Sequence, residues 1–143
     1  MPKNSLKTGL MIVNFLAVYR TIQLYLYDFR SAIGPSMIPT IREGGDVLLI
    51  DKFSPYWKGY KKNEVVLAKS PMKLNSVLCK RIIALGGEYV EIEGQKYFVP
   101  ENHVWLEGDN KPQSFDSRDF GPVPLSLLEG RVIYKIWNSL KRL

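Results

Sequence analysis

The chain has 143 residues, enough for one domain and a short appendage, and 45% of them are hydrophobic, enough for a sizeable core. The net charge of +6 suits an anionic membrane surface or nucleic acid, but no nucleic-acid module accompanies it, so no nucleic-acid partner is expected. A single cysteine, Cys79, excludes an internal disulfide; with one histidine besides, His103, no metal site and no cofactor is expected.

Residues 1–30 differ from the rest. Lys3 and Lys7 precede an apolar run from Leu10, and no acidic residue stands before Asp28. As a helix, Leu10 to Tyr27 would be roughly 27 Å long, near the ~30 Å of a hydrocarbon core. Arg20 and Gln23 interrupt it. The segment reads as a membrane-anchor or targeting helix on a phospholipid membrane. An interfacial helix, or one covering the following domain, is the alternative. Its basic, acid-free start is also compatible with mitochondrial import. The two lysines favour the N-terminus on the cytosol-like side, with residues 31–143 as the main domain across the membrane.

Gly34-Pro35-Ser36-Met37-Ile38-Pro39-Thr40 follows. Two prolines fix their own φ, offer no backbone donor and bias the preceding residues toward extended geometry. The segment is then a stiff holder for Ser36, which is either a nucleophile or an ordinary turn serine. Apolar neighbours Ile33, Met37 and Ile41 are candidates for a substrate pocket.

From Ile41 onward the pattern is β. Strands are expected over 46–51, 64–69, 76–85, 88–93, 96–99, 103–107 and 129–137, with Gly94-Gln95 as a tight hairpin and Lys141-Arg142 as a basic end. Phe53 to Lys62 is expected as a loop mixing aromatic rings with lysines, suited either to a membrane interface or to plain exposure. Residues 109–124 are expected as a long irregular loop. The whole is predicted to be mainly β, a compact antiparallel barrel or sheet.

The strand Val77-Leu78-Cys79-Lys80-Arg81-Ile82-Ile83-Ala84-Leu85 places adjacent cations on opposite, equally apolar faces. An arginine stays charged, whereas a desolvated lysine can lose its proton. Lys80 is therefore a candidate general base, or a lysine snorkelling at a sheet edge. In the 109–124 loop, Ser114, Asp116 and Arg118 can form a local hydrogen-bonded knot, and the Ser114 hydroxyl offers Lys80 an uncharged partner.

These motifs, together with Gly108-Asp109-Asn110, stand in the order of the signal peptidase I family of serine–lysine endopeptidases, which the chain resembles from residue 34 to 124. His103 to Asn110, Cys79 and the short length are nearer the mitochondrial inner-membrane branch than the bacterial leader peptidases. Asp116-Ser117-Arg118 and Gly130-Arg131-Val132 are nearer the first of that branch's two subunit types. The resemblance implies Ser36 as nucleophile, its N–H as an oxyanion donor, Lys80 as general base and Ser114 orienting Lys80. It also implies an Asp116–Arg118 ion pair, with Asp109 nearby. The implied substrates are presequences of precursors bound for the intermembrane space, and the implied partner is a related second peptidase subunit. A bacterial or plastid membrane is the alternative location. Some relatives carry a serine where Gly34 stands, so a second oxyanion donor must come from elsewhere. A Ser36–His103–Asp109 triad and a catalytically inactive, peptide-binding partner subunit are the competing readings.

Overall fold

The computed structural model describes residues 3–137 and 139–142; the side chains of residues 1–6, 23 and 137–143, with the Lys3, Lys141 and Arg142 charges, lie outside the described set. Helix α1 spans Lys3–Tyr25 and is followed at once by strand β1, Tyr27–Ser31. The apolar N-terminal segment is thus not helical to its end. From Tyr27 the pattern changes to alternation, Tyr27 and Phe29 alternating with Asp28 and Arg30, and β1 pairs antiparallel with Val47–Asp51 (β2). Among the described residues no helix is long and apolar enough to cross a membrane. The apolar side chains of α1 from Leu10 to Val18 are nevertheless exposed all round the helix.

The remaining strands are β3 (Val65–Lys69), β4 (Val77–Leu85), β5 (Tyr89–Ile92), β6 (Gln95–Phe98), β7 (His103–Glu107), β8 (Val123–Pro124), β9 (Leu128–Trp137) and β10 (Ser139–Arg142). They form a curled antiparallel sheet in the order β1-β2-β9-β3-β4-β7-β8, with β10 on β9 and a separate β5–β6 hairpin. The mainly β expectation holds. The central strand β3 is buried on both faces. Val65 and Leu67 join Met37, Ile41, Leu48, Ile50 and Val132 on one side. Val66 and Ala68 join Ile82, Leu106 and Val123 on the other. Two buried faces explain the nearly unbroken apolar run of β3.

Three local expectations are corrected. The aromatic loop contains a short helix, α2 (Ser54–Lys58), with Pro55 in its first turn where a missing N–H costs nothing. The β5–β6 turn is Glu93-Gly94, one residue earlier than expected, with φ of 51° and 80°. Positive φ at both central residues matches the right-handed twist of a two-residue hairpin. The 109–124 segment is not structureless: it holds a 3-10 turn at Lys111–Gln113, helix α3 (Ser117–Phe120) and β8. Asp116 caps α3 and Asp119 returns the bond to the Asp116 N–H, a local capping pattern inside a polar stretch.

Candidate active site

The Ser36 segment is tied down from several directions. The Asn110 N–H donates to the Ser36 carbonyl at 2.9 Å, and Asn110 Nδ2 donates to the Pro35 carbonyl at 3.0 Å. Thr40 Oγ1 donates to Asp109 Oδ2 at 2.5 Å. Lys135 Nζ, from β9, donates to the Thr40 carbonyl at 2.7 Å and faces the buried Asp46 carboxylate at 3.6 Å. Asp46 in turn accepts from the Arg42 N–H. Met37 and Ile41 sink into the core, so they do not line an open pocket; of the three apolar candidates only Ile33, 90% exposed, lies at the surface. Gly34 has φ of +99°, a conformation that a serine would adopt only with strain.

Strand β4 splits its two cations as alternation requires. Arg81 clamps Asp109 through Nε at 2.8 Å and Nη2 at 2.7 Å, and also donates to the Asn63 carbonyl. Burial pushes the Asp109 carboxyl up, but the bonds from Arg81 and Thr40 outweigh it and hold the group below the usual carboxylate range. Lys80 turns the other way and is only 3% exposed. Its Nζ lies 3.0 Å from Ser114 Oγ, a hydroxyl rather than a carboxylate. Desolvation lowers its pKa, against a weaker upward pull from the Asp116 charge.

Asp116 is fully buried and accepts on both oxygens. Ser114 Oγ donates at 2.6 Å, the Gly108 N–H at 2.9 Å, Arg118 Nε at 2.9 Å and Arg118 Nη2 at 3.0 Å. Burial raises its pKa; Arg118, Ser114 and the backbone donors outweigh that and bring it below its ordinary value. A serine hydroxyl has one proton, and here it goes to Asp116. Ser114 can therefore only accept from Lys80. A neutral Lys80 amine would use one N–H on Ser114 and keep its lone pair free.

Gly108 joins the two halves. A Cβ there would overlap Ser114 Oγ and would stand 2.5 Å from the Ser36 carbonyl oxygen and 2.6 Å from Ser114 Cβ. Ser36 and Ser114 thus flank the same bare Cα. The Lys80 amine hydrogen-bonds to Ser114 rather than to the half-buried Ser36 hydroxyl. His103 stays apart: its Nδ1 meets the Glu101 carbonyl, and both Asp109 oxygens are occupied by Arg81 and Thr40. Asp109 stands six positions after His103 along strand and turn, on the order of 20 Å when extended. The Ser36–His103–Asp109 triad is not assembled. Sequence reading missed Lys135, Asp46 and Thr40 as supports of the Ser36 segment. Thr40 was visible as part of the proline motif, whereas a strand lysine 95 residues further on carried no local signal.

The family profile described as "Signal peptidase, peptidase S26" matches residues 5–99 and 93–137. The chain is 35% identical over 131 residues to mitochondrial inner membrane protease subunit 1 of Schizosaccharomyces pombe, covering 88% of this chain and 83% of that protein. It is 44% identical over 119 residues to the Xenopus tropicalis protein of the same name, covering 79% and 71%. With the Arabidopsis thaliana mitochondrial ATP-independent inner membrane protease subunit 1b it shares 32% over 143 residues, covering 94% and 85%.

Proposed function

The chain belongs to the signal peptidase family, peptidase S26, and from that premise we propose that it is a membrane-bound serine endopeptidase using Ser36 as nucleophile and Lys80 as general base. A peptidase of signal peptidase type follows from the family alone. The observation that supports the finer reading is the state of Lys80. Its amine is desolvated, bonded to a hydroxyl instead of a carboxylate, and set beside a carboxylate already neutralised by Arg118. Those conditions lower the amine's pKa and make its proton easier to give up.

In the first half-reaction the Lys80 lone pair takes the Ser36 Oγ proton as Oγ bonds to the scissile carbonyl carbon. The carbonyl oxygen gathers charge facing the Ser36 N–H. The C–N bond then breaks, and the Lys80 ammonium gives its proton to the leaving amine. In the second half Lys80 takes a proton from water as its oxygen bonds to the ester carbonyl carbon; the C–Oγ bond to Ser36 then breaks, the Lys80 proton returns to Ser36 Oγ, and the carboxylic acid product leaves. The mechanism requires the Lys80 amine, bonded to Ser114 here, to come within hydrogen-bond reach of Ser36 Oγ; such bonds often tighten only with substrate bound.

The relatives' names place them in the mitochondrial inner membrane and call them subunit 1. By that likeness the substrates are sorting presequences of precursors delivered to the intermembrane space. The peptidase domain faces that space, α1 holds the chain at the membrane, and a related second subunit is the partner. The test is processing of presequence-bearing precursors by membranes carrying wild type, Ser36→Ala or Lys80→Ala. Loss of cleavage in both variants, with the chains folded, is expected. Cleavage that survives Lys80→Ala overturns the lysine mechanism. Processing that needs the chain but not Ser36 identifies it as an inactive partner subunit.

A further inference from the structure

The surface carried by α2 has no part in the chemistry above. Phe53, Tyr56 and Trp57 are 48%, 87% and 77% exposed, a degree unusual for three large rings within five residues. The Phe53 and Trp57 rings touch, with centroids 6.2 Å apart. Together with Leu24, Tyr25 and Leu26 at the end of α1 they line one open groove, which the cations Arg30, Lys52 and Lys69 and one carboxylate, Glu129, also border. From Lys52 to Asn63 the chain has four lysines and no acidic residue.

The rings are presented by a built support. Asp51 Oδ1 accepts from the Phe53 and Ser54 N–H groups at 3.0 and 2.9 Å, which fixes the chain where it enters α2. Arg131 on β9 holds Asp51 from behind at 3.2 Å and Glu64 at 2.5 Å. At the far end Glu64 accepts from the Lys61 N–H, and Tyr60 packs against the core. Its phenol, pushed up to about 12 mainly by burial, stays neutral. A segment tied at both ends to the partly buried Arg131 ion pairs, yet turning its rings outward, is shaped to meet something.

We propose that this surface seats the peptidase domain on an anionic phospholipid membrane, with Tyr56 and Trp57 at headgroup level and Lys58 and Lys61 against lipid phosphates. Two features favour lipid over a protein partner. Lysine is depleted in protein–protein interfaces but attracted to anionic leaflets. The groove is also continuous with the end of α1, whose apolar residues are exposed on every side. Lys62 is partly engaged by Glu88 at 3.2 Å, and Lys52 by Asp28 at 3.3 Å, which leaves Lys58 and Lys61 as the principal contacts.

The proposal rests on the membrane-bound reading and is independent of the peptidase chemistry, so the full chain carrying Ser36→Ala serves for the measurement. It is reconstituted into phosphatidylcholine vesicles with and without phosphatidylglycerol, with bromine on the acyl chains as a quencher. Subtracting the emission of a Trp57→Phe chain isolates Trp57. With phosphatidylglycerol present the Trp57 emission should be quenched. Lys58→Gln and Lys61→Gln should each lower the ratio of seated to unseated chains roughly fivefold, as should high salt acting on both together. Trp57 emission that bromine leaves untouched means that the surface faces away from the bilayer, toward a protein or solvent, and overturns the proposal. Quenching indifferent to phosphatidylglycerol, salt and both lysines overturns the anionic recognition. Quenching in a chain whose active parent fails to cleave presequences overturns the peptidase reading alone.

Discussion

Replacing Gly108 by alanine tests whether the Ser36 segment and the Ser114–Lys80 pair work as one unit. The backbone itself permits the change, because Gly108 is not among the residues with positive φ. Space does not. Cβ contacts below 3.0 Å essentially never occur, so the Ser36 carbonyl must retreat by about 0.5 Å and Ser114 by more. Neither retreat is free: the carbonyl is held by Asn110, and Ser114 by Asp116. The two halves therefore separate by on the order of 1 Å, a displacement that commonly costs about 100-fold in rate. Overpacking of this kind costs roughly 1–3 kcal/mol in stability, and at this chain length each kcal/mol lowers Tm by about 4 °C. The assay is steady-state cleavage of a fluorogenic peptide spanning a presequence junction, read beside thermal unfolding of the same preparation. The expected result is a kcat/KM lower by about two orders of magnitude in a chain that still unfolds cooperatively, with Tm down by roughly 4–12 °C. Activity within threefold of wild type, with Tm lowered as stated, would show that the distance across Gly108 does not govern the reaction.

Lys80→Met should abolish cleavage yet change the pH dependence of stability in a defined direction. The folded chain holds the amine below its ordinary pKa and the unfolded chain near about 10.4, so between those values the unfolded state binds more protons and wild-type stability rises with pH. The methionine variant lacks that slope: its Tm advantage over wild type should be largest in acid and shrink toward pH 10, which a pH series of melting curves reads directly. Asp116→Asn turns amide protons toward existing donors and strands the Arg118 charge, at a cost of about 3–5 kcal/mol by chemical denaturation at pH 7. The depressed wild-type carboxyl makes that difference present above about pH 4 and lost as pH falls through its folded value. Lys135→Met removes the donor to the Thr40 carbonyl and the counter-charge of buried Asp46; kcat should fall roughly tenfold and stability by about 2–3 kcal/mol, with Lys135→Arg recovering part of the stability.

Much of this arrangement is legible in the sequence, and unevenly so for physical reasons. Strand positions were readable because apolar residues recur with turn residues between them, and β7 over His103–Glu107 coincides with its expected span. The opposite orientation of Lys80 and Arg81 followed from alternation alone. The end of α1 was misplaced because Leu24, Leu26, Tyr27 and Phe29 keep the segment apolar while its period changes from helical to alternating. Inside residues 109–124, composition suggested a loop, whereas the capping pair Asp116 and Asp119 marked a helix start. Lys135 was illegible for a different reason: its partners Thr40 and Asp46 adjoin it only once β9 pairs with β2.

The two neighbouring cations of β4 show how one strand can carry both a permanent charge and one that can be given up. Arg81 points where a carboxylate awaits it, and its planar fork takes both Asp109 oxygens. Lys80 points where the neighbouring carboxylate, Asp116, already holds Arg118, and where the intervening Ser114 has spent its single proton on that carboxylate. Exchanging the two residues would fail on both faces. A lysine cannot make the bidentate clamp, and a guanidinium facing Ser114 could not shed its charge. The order of lysine before arginine is therefore dictated by the partners on each side of the sheet. A double variant combining Lys80→Arg with Arg81→Lys should be inactive and also less stable than either Lys80→Met or wild type, because it joins an unmatched buried cation to a loosened Asp109. A double variant as stable as Lys80→Met would mean that the Asp109 clamp contributes nothing, and that the Ser36 segment is held by Asn110 and Lys135 alone.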